Sequence, residues 1–160
     1  MALNTFDTIR GHFFFYLCGL IYSKLIFYSG MAAKQKYQIE FEIKSSPKIL
    51  YPYLSTPSGL NEWFADKVVV NGGTFQFEWN GSAENAKVAG KKDNLFVRFE
   101  WLDRKEDAKN NYFQFDIIQD ELTSDVALVI TDFSTPEDLV ENKLLWANTI
   151  QNLKHIIGGS

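Results

Sequence analysis

The sequence predicts an α+β fold in which a curved antiparallel sheet wraps around one long C-terminal helix, with two short helices between strands 1 and 2. Three observations carry this. Residues 134 to 158 form a single long amphipathic stretch with start and stop signals. The middle of the chain is a run of short alternating segments separated by Asn-Gly and Gly-Gly turns. Two short helix patterns, each opened by a hydroxyl residue and Pro, interrupt the strands once, after the first.

The elements follow in order from Tyr37. Tyr37, Ile39, Phe41 and Ile43 alternate with Gln38, Glu40, Glu42 and Lys44, the pattern of a strand with one buried face. Ser45-Ser46-Pro47 starts a short helix through Ile49, Leu50, Tyr53 and Leu54, which Pro52 limits or bends. Thr56-Pro57-Ser58-Gly59 opens a second, with Leu60, Trp63 and Phe64 on one side. Neither is long enough to be stable alone, so both must pack on something else.

Six strands are expected next. Val68 to Val70 turns at Asn71-Gly72-Gly73 into Thr74 to Trp79, and Asn80-Gly81 marks the following hairpin. Residues 82 to 90 form a weaker strand with Ala86 and Val88, and Lys91 to Asn94 read as a turn. Leu95, Val97, Phe99 and Trp101 share one face of the next strand, opposed by Arg98 and Glu100. After a charged loop from Asp103 to Asn111, Phe113, Phe115 and Ile117 continue that face. The last strand, Val126 to Phe133, is apolar on both sides, so its faces stay unassigned.

The terminal helix is capped by Thr135, with Pro136 at its first position and Glu137 and Asp138 in its first turn. Leu139, Trp146, Ile150, Leu153 and Ile157 make its apolar stripe, and Gly158-Gly159 ends it. About 22 residues at 1.5 Å rise span roughly 33 Å, enough to cross a whole sheet. A hairpin-connected sheet needs one face covered, and this helix is the one element able to cover it.

Composition narrows the function classes. The 160 residues include 16 basic and 20 acidic side chains, and 16% are aromatic, with fourteen Phe. A formal charge of −4 argues against nucleic acid as the main partner, because phosphate binding needs a clustered positive field. Cys18 is the one cysteine, so no intrachain disulfide or thiolate cage can form, which suits a reducing cytoplasm.

Residues 1 to 30 stand apart from the domain at 31 to 160. Phe13 to Tyr28 is nearly all aromatic or aliphatic, but it holds 16 residues and carries Lys24. A spanning helix wants about 20. Three readings stay open: a spurious extension translated from AT-rich upstream DNA, a membrane anchor or signal, and a native soluble helix. Met31-Ala32-Ala33-Lys34 has the look of an ordinary cytosolic start and favours the first. A membrane is a partner only if the segment is native.

Chemistry-bearing motifs are scarce. His12 and His155 are the two histidines, far apart and with no ligand spacing around them, so no metal and no cofactor is expected. No G-x-S-x-G and no glycine-rich phosphate loop occurs. Glu40, Glu42, Glu78, Glu100 and Asp116 take the outer parity of their strands and read as a solvated face. Arg98 has the same outward parity, and Lys91-Lys92 is no nucleic-acid patch.

Aromatics are the remaining signal. Phe75, Phe77, Trp79, Phe99, Trp101, Phe113, Phe115 and Trp146 have the parity to face the interior, beside Val97, Ile117 and Ile150. They read either as a filled core or as the lining of an apolar pocket, and no inward polar group is found among them.

The order of elements resembles the START-like, helix-grip superfamily that includes the birch-pollen-allergen fold. Within it the chain is similar to bacterial domains grouped with homologues of the activator of the heat-shock chaperone ATPase. The carrying residues are Ile43-Lys44-Ser45-Ser46-Pro47 through Leu54, Thr56-Pro57 to Gly59-Leu60, Trp63-Phe64-Ala65-Asp66, and Trp146 in the last helix. The resemblance covers about residues 36 to 158 and implies a hydrophobic cavity between sheet and helix. Such cavities serve lipids, polyketides, hormones or chaperone contacts. The expected function is therefore non-catalytic binding of a small lipid-like molecule. A protein-interaction or chaperone co-factor module is the second reading and a cyclase-type enzyme the third.

Overall fold

A computed structural model of the protein describes residues 33–104 and 108–158. The apolar segment at 1 to 30, His12, Cys18, the start at Met31 and Gly159 lie outside the described residues. Among the described residues the chain runs β1 (Gln35–Ile43), α1 (Pro47–Ser55), α2 (Pro57–Trp63), β2 (Lys67–Asn71), β3 (Thr74–Trp79), β4 (Ser82–Lys92), β5 (Phe96–Trp101), a 3-10 turn (Ala108–Asn110), β6 (Tyr112–Gln119), β7 (Val126–Ser134) and α3 (Leu139–Ile156). This is the predicted α+β order.

All seven strands join one antiparallel sheet in the order β1-β7-β6-β5-β4-β3-β2. The chain lays β2 to β7 as successive hairpins, and β1 closes on β7 at the far edge. Asn80 and Gly81, at φ 50° and 80°, supply the left-handed pair that a two-residue hairpin requires. A bulge between Val88 and Gly90 bends β4 and adds curvature.

The short helices start as their sequences dictate. The Ser46 hydroxyl accepts the Ile49 N–H, and the Thr56 hydroxyl accepts the Gly59 N–H at 3.0 Å, each followed by Pro. Pro52 lies inside α1 without ending it, since the helix runs on to Ser55. Leu50, Leu54, Leu60 and Trp63 are buried, so both helices depend on the sheet they close.

Three boundaries differ from the sequence reading. α3 begins at Leu139, because Ser134 still belongs to β7 and Thr135 to Asp138 make a turn of their own. In that turn the Thr135 hydroxyl accepts the Asp138 N–H and donates to the Asp138 carboxylate, so Asp138 becomes the N-cap. The helix has 18 residues, roughly 27 Å. Lys91 and Lys92 are strand residues opposite Val97 and Phe96, and the turn is confined to Asp93, Asn94 and Leu95. Leu95 is 45% exposed in that turn, not on the inner face.

The unassigned faces of the last strand are settled by register. Val126, Leu128 and Ile130 pair with Ile43, Phe41 and Ile39 on the inner face. Asp132 continues that parity opposite Tyr37. The stripe of α3 meets this face with Trp146, Ile150 and Leu153 buried, while Leu139 and Ile157 pack at its ends. Ile157 is the C-cap and Gly158 follows it with φ 79°, the left-handed glycine expected at this end.

Candidate functional site: the aromatic interior and its polar end

The inner face of β3, β5 and β6 carries its rings in rows, because every second residue of a strand points the same way. Phe77, Phe99 and Phe115 are fully buried, with Phe75, Trp101, Phe113 and Ile117 nearly so. Val97 is buried between Phe99 and Phe115 positions of the same surface, and Ile150 and Trp146 close it from α3. Trp79 is half-buried at the margin. The eleven residues singled out from the sequence are thus brought to one interior. Their rings touch: Phe99 and Phe113 stack at 5.0 Å between centroids, and Trp101 sits 4.9 Å from Phe113.

One residue of this interior was placed on the second helix by sequence but left out of the lining set. Phe64, just past the end of α2, lies among five rings of the set. It is stacked on Trp146 and edge-on to Phe77, Trp79 and Phe115, with Phe113 also at 5.4 Å. Its carbonyl accepts the Trp79 indole N–H at 2.7 Å, and the Trp63 indole donates to the Tyr53 carbonyl. Phe64 is therefore a plug between sheet and helix. The signal for it was present, as the third member of the Leu60, Trp63, Phe64 face.

The expectation of no inward polar group is overturned. Asp132 is inward and half-buried, and its Oδ2 accepts the Trp146 indole N–H at 2.9 Å and the Tyr37 hydroxyl at 3.3 Å. Its Oδ1 accepts the Phe133 N–H. Burial holds the Asp132 carboxyl above the usual carboxylate range, against these hydrogen bonds and the positive charge of Arg104, which pull it down. Burial and the adjacent carboxylate push the Tyr37 hydroxyl well above the usual phenol range. Strand parity with Leu128 and Ile130 would have located Asp132, had the faces of that strand been assigned.

Further polar groups gather at the same end of the sheet. Arg104 lies 4.2 Å over the Trp101 ring and pairs with Glu84, whose parity is that of buried Ala86. Buried Asn111, across from Trp101, donates Nδ2 to the Trp101 carbonyl at 2.8 Å, while its Oδ1 has no partner. The outer face is different in kind. Arg98 crosses the Tyr112 ring and bonds Gln114, Lys87 pairs with Glu100, and an open depression of roughly 750 Å³ lies beside Glu40, Phe96 and Asp116. Among the described residues no His, Cys, Asp or Glu cluster could hold a metal, and no helix is long and apolar enough to cross a membrane.

Comparison with known proteins agrees with this architecture. No curated protein matches the sequence. A Bacteroides fragilis protein of known solution structure is 35% identical, covers 77% of this chain and 90% of its own, and superposes with a TM-score of 0.57. The Aha1 dimer from Colwellia psychrerythraea is 20% identical over 77% of this chain and 96% of its own, with a TM-score of 0.64. CalU16 from Micromonospora echinospora is 15% identical over 79% and 76%, with a TM-score of 0.59. Residues 31–159 match the START-like superfamily domain, and with the sheet, the two short helices and α3 in place the chain belongs to that superfamily.

Proposed function

We propose that the protein binds a small hydrophobic molecule between the sheet and α3 without transforming it, and does so in the cytoplasm. One observation carries this reading: Trp146 joins an aromatic interior to a half-buried carboxylate through opposite parts of one ring system. A core kept only for stability gains nothing from a desolvated Asp132, whereas a pocket needs a few polar groups to orient its occupant. The bound molecule would take the place of the Phe64 ring, which swings out from the end of α2. Apolar contact with the surrounding rings supplies most of the affinity.

The non-catalytic part rests on Asp132 as well. Its oxygens already accept three donors, an arrangement that fixes a charge in place more than it prepares a proton transfer. His155 is exposed near the end of α3 and stands as no partner for it.

An interaction module is the second reading, favoured by a separate feature. Val140, Leu144 and Leu145 are 77%, 60% and 63% exposed on α3, more apolar surface than a solvated helix face needs. The chaperone co-factor reading belongs here.

Solvent extraction of the purified protein followed by mass spectrometry, with titration of the neutral probe N-phenyl-1-naphthylamine, tests the first reading. A co-purifying lipid or saturable binding of the probe is expected. An empty protein that gives no saturable signal removes the carrier and leaves the module.

A further inference from the structure

Hydrogen-bonding capacity at the polar end of the interior is unbalanced. Two donors there share one oxygen: the Trp146 N–H and the Tyr37 O–H both go to Asp132 Oδ2. Arg104 turns Nε and Nη2 onto Glu84 Oε2, at 3.0 and 2.7 Å, so its charge is met by a carboxylate. The acceptors are not exhausted. A carboxylate offers about four lone-pair sites, and Asp132 accepts three hydrogen bonds. Asn111 Oδ1 is buried with no partner at all. Its amide cannot be turned to cure this, because Nδ2 is needed by the Trp101 carbonyl.

The two acceptors sit close together on the sheet. Gln114 pairs with Thr131 and the Tyr112 ring meets Phe133, so the same register carried three residues beyond Gln114 places Asn111 across from Ser134, one step along the inner face from Asp132. Both border the ring surface made by Trp101, Phe113 and Trp146. An orphaned buried acceptor and an under-filled carboxylate beside one apolar surface call for a group that brings donors.

We infer that the ligand carries a hydrogen-bond-donor head, a hydroxyl or an ammonium, held at Asp132 and Asn111 with its apolar body on the aromatic rings. A carboxylate-headed molecule such as a free fatty acid is selected against, because its charge would face Asp132 and Glu84, and Arg104, the cation beside them among the described residues, is already paired with Glu84. This rests on the binding reading above and specifies the class of molecule.

Calorimetric titration of four ten-carbon compounds at pH 7.5 tests it: decan-1-ol, decylamine, decanoate and decyl methyl ether. The ether lacks only the donor of the alcohol. The parent protein should bind the alcohol and the amine at least about tenfold more tightly than the ether or decanoate. Asp132→Asn, of nearly the same shape, should bring that preference below about threefold. If none of the four saturates, the binding reading itself falls. Equal affinities, or decanoate the tightest, would leave that reading standing and overturn the donor-head inference. An Asp132→Asn protein that keeps the full preference would overturn it too. Should that variant fail to fold, the comparison of alcohol with ether in the parent protein decides alone.

Discussion

Phe64 and Trp146 stack with ring centroids 5.8 Å apart and planes 13° from parallel. The contact joins the end of α2 to the middle of α3, two elements that sequence alone does not relate. Trp146→Ala removes this stack, the contacts with Phe113 and Phe115, and the donor to Asp132. A loss of about 3–5 kcal/mol is expected in urea unfolding, enough to leave a domain of ordinary stability marginal. Trp146→Phe keeps a ring but orphans the carboxylate, and should cost about 1–3 kcal/mol. A loss below about 1 kcal/mol for the alanine variant would mean that the ring contributes little.

Asp132 gives a pH signature whose sign follows from linkage. Its carboxyl is held up in the folded protein, so the folded state binds its proton more strongly than the unfolded chain does. The resulting stability is fully present below the unfolded value, about 3.9, and is lost as pH rises through the folded one. Tyr37, Trp146 and Arg104 face this group. The stability difference, parent minus Asp132→Asn, should therefore fall as pH is raised from about 4 and then level off. Thermal melts of both proteins across pH 3 to 8 check it, roughly covering the window on each side. A flat difference would show that Asp132 titrates normally.

Most of this fold was legible because strand parity and cap chemistry are local. Phe75, Phe77, Phe99, Phe113 and Phe115 were placed inward by alternation alone, and Ser46 and Thr56 as caps by the Pro that follows each. Asp132 escaped because β7 is flanked by strands on both sides and apolar on both faces, which erases the alternation that reveals a face. The α3 start escaped for a different reason. Thr135-Pro136-Glu137-Asp138 satisfies the chemistry of a helix cap and of a closed turn equally well, and β7 extends to Ser134. Phe64 carried a local signal on the Leu60, Trp63, Phe64 face, but that its ring fills the middle is a fact of three-dimensional packing.

Gly59 marks where α1 and α2 press together. A Cβ there would lie 2.4 Å from the Pro52 carbonyl oxygen and 2.5 Å from the Tyr53 Cα, both backbone atoms that cannot swing aside. Gly59→Ala should cost about 1–3 kcal/mol or more, although alanine favours helices elsewhere. A melting temperature equal to or above the parent's would show that the two helices shift apart freely.

The match to the superfamily starts at residue 31, and the described sheet begins at Gln35. A chain beginning at Met31 is expected to be soluble and to melt within a few degrees of the full-length protein. Precipitation, or a melting temperature many degrees lower, would assign residues 1 to 30 a structural role.

If a ligand binds as proposed, Phe64 is the ring that it must displace. Its ring occupies the space that an apolar molecule would need among Phe77, Trp79, Phe113, Phe115 and Trp146. A parent protein that must first displace this ring binds with its affinity reduced by the fraction of molecules in the displaced state. Phe64→Ala removes that requirement. It should cost about 3–5 kcal/mol of stability and leave a ring-lined cavity. It should also bind N-phenyl-1-naphthylamine at least about tenfold more tightly than the parent. Val97→Phe is the opposite change at a fully buried position of the same surface. It adds volume with little room to receive it, should destabilise by about 1–3 kcal/mol, and should weaken the probe. Titrating all three proteins separates the roles of the ring. Tighter binding by Phe64→Ala with weaker binding by Val97→Phe makes Phe64 the gate. Unchanged affinity in both would place the probe elsewhere, with the outer depression beside Phe96 as the next surface to mutate.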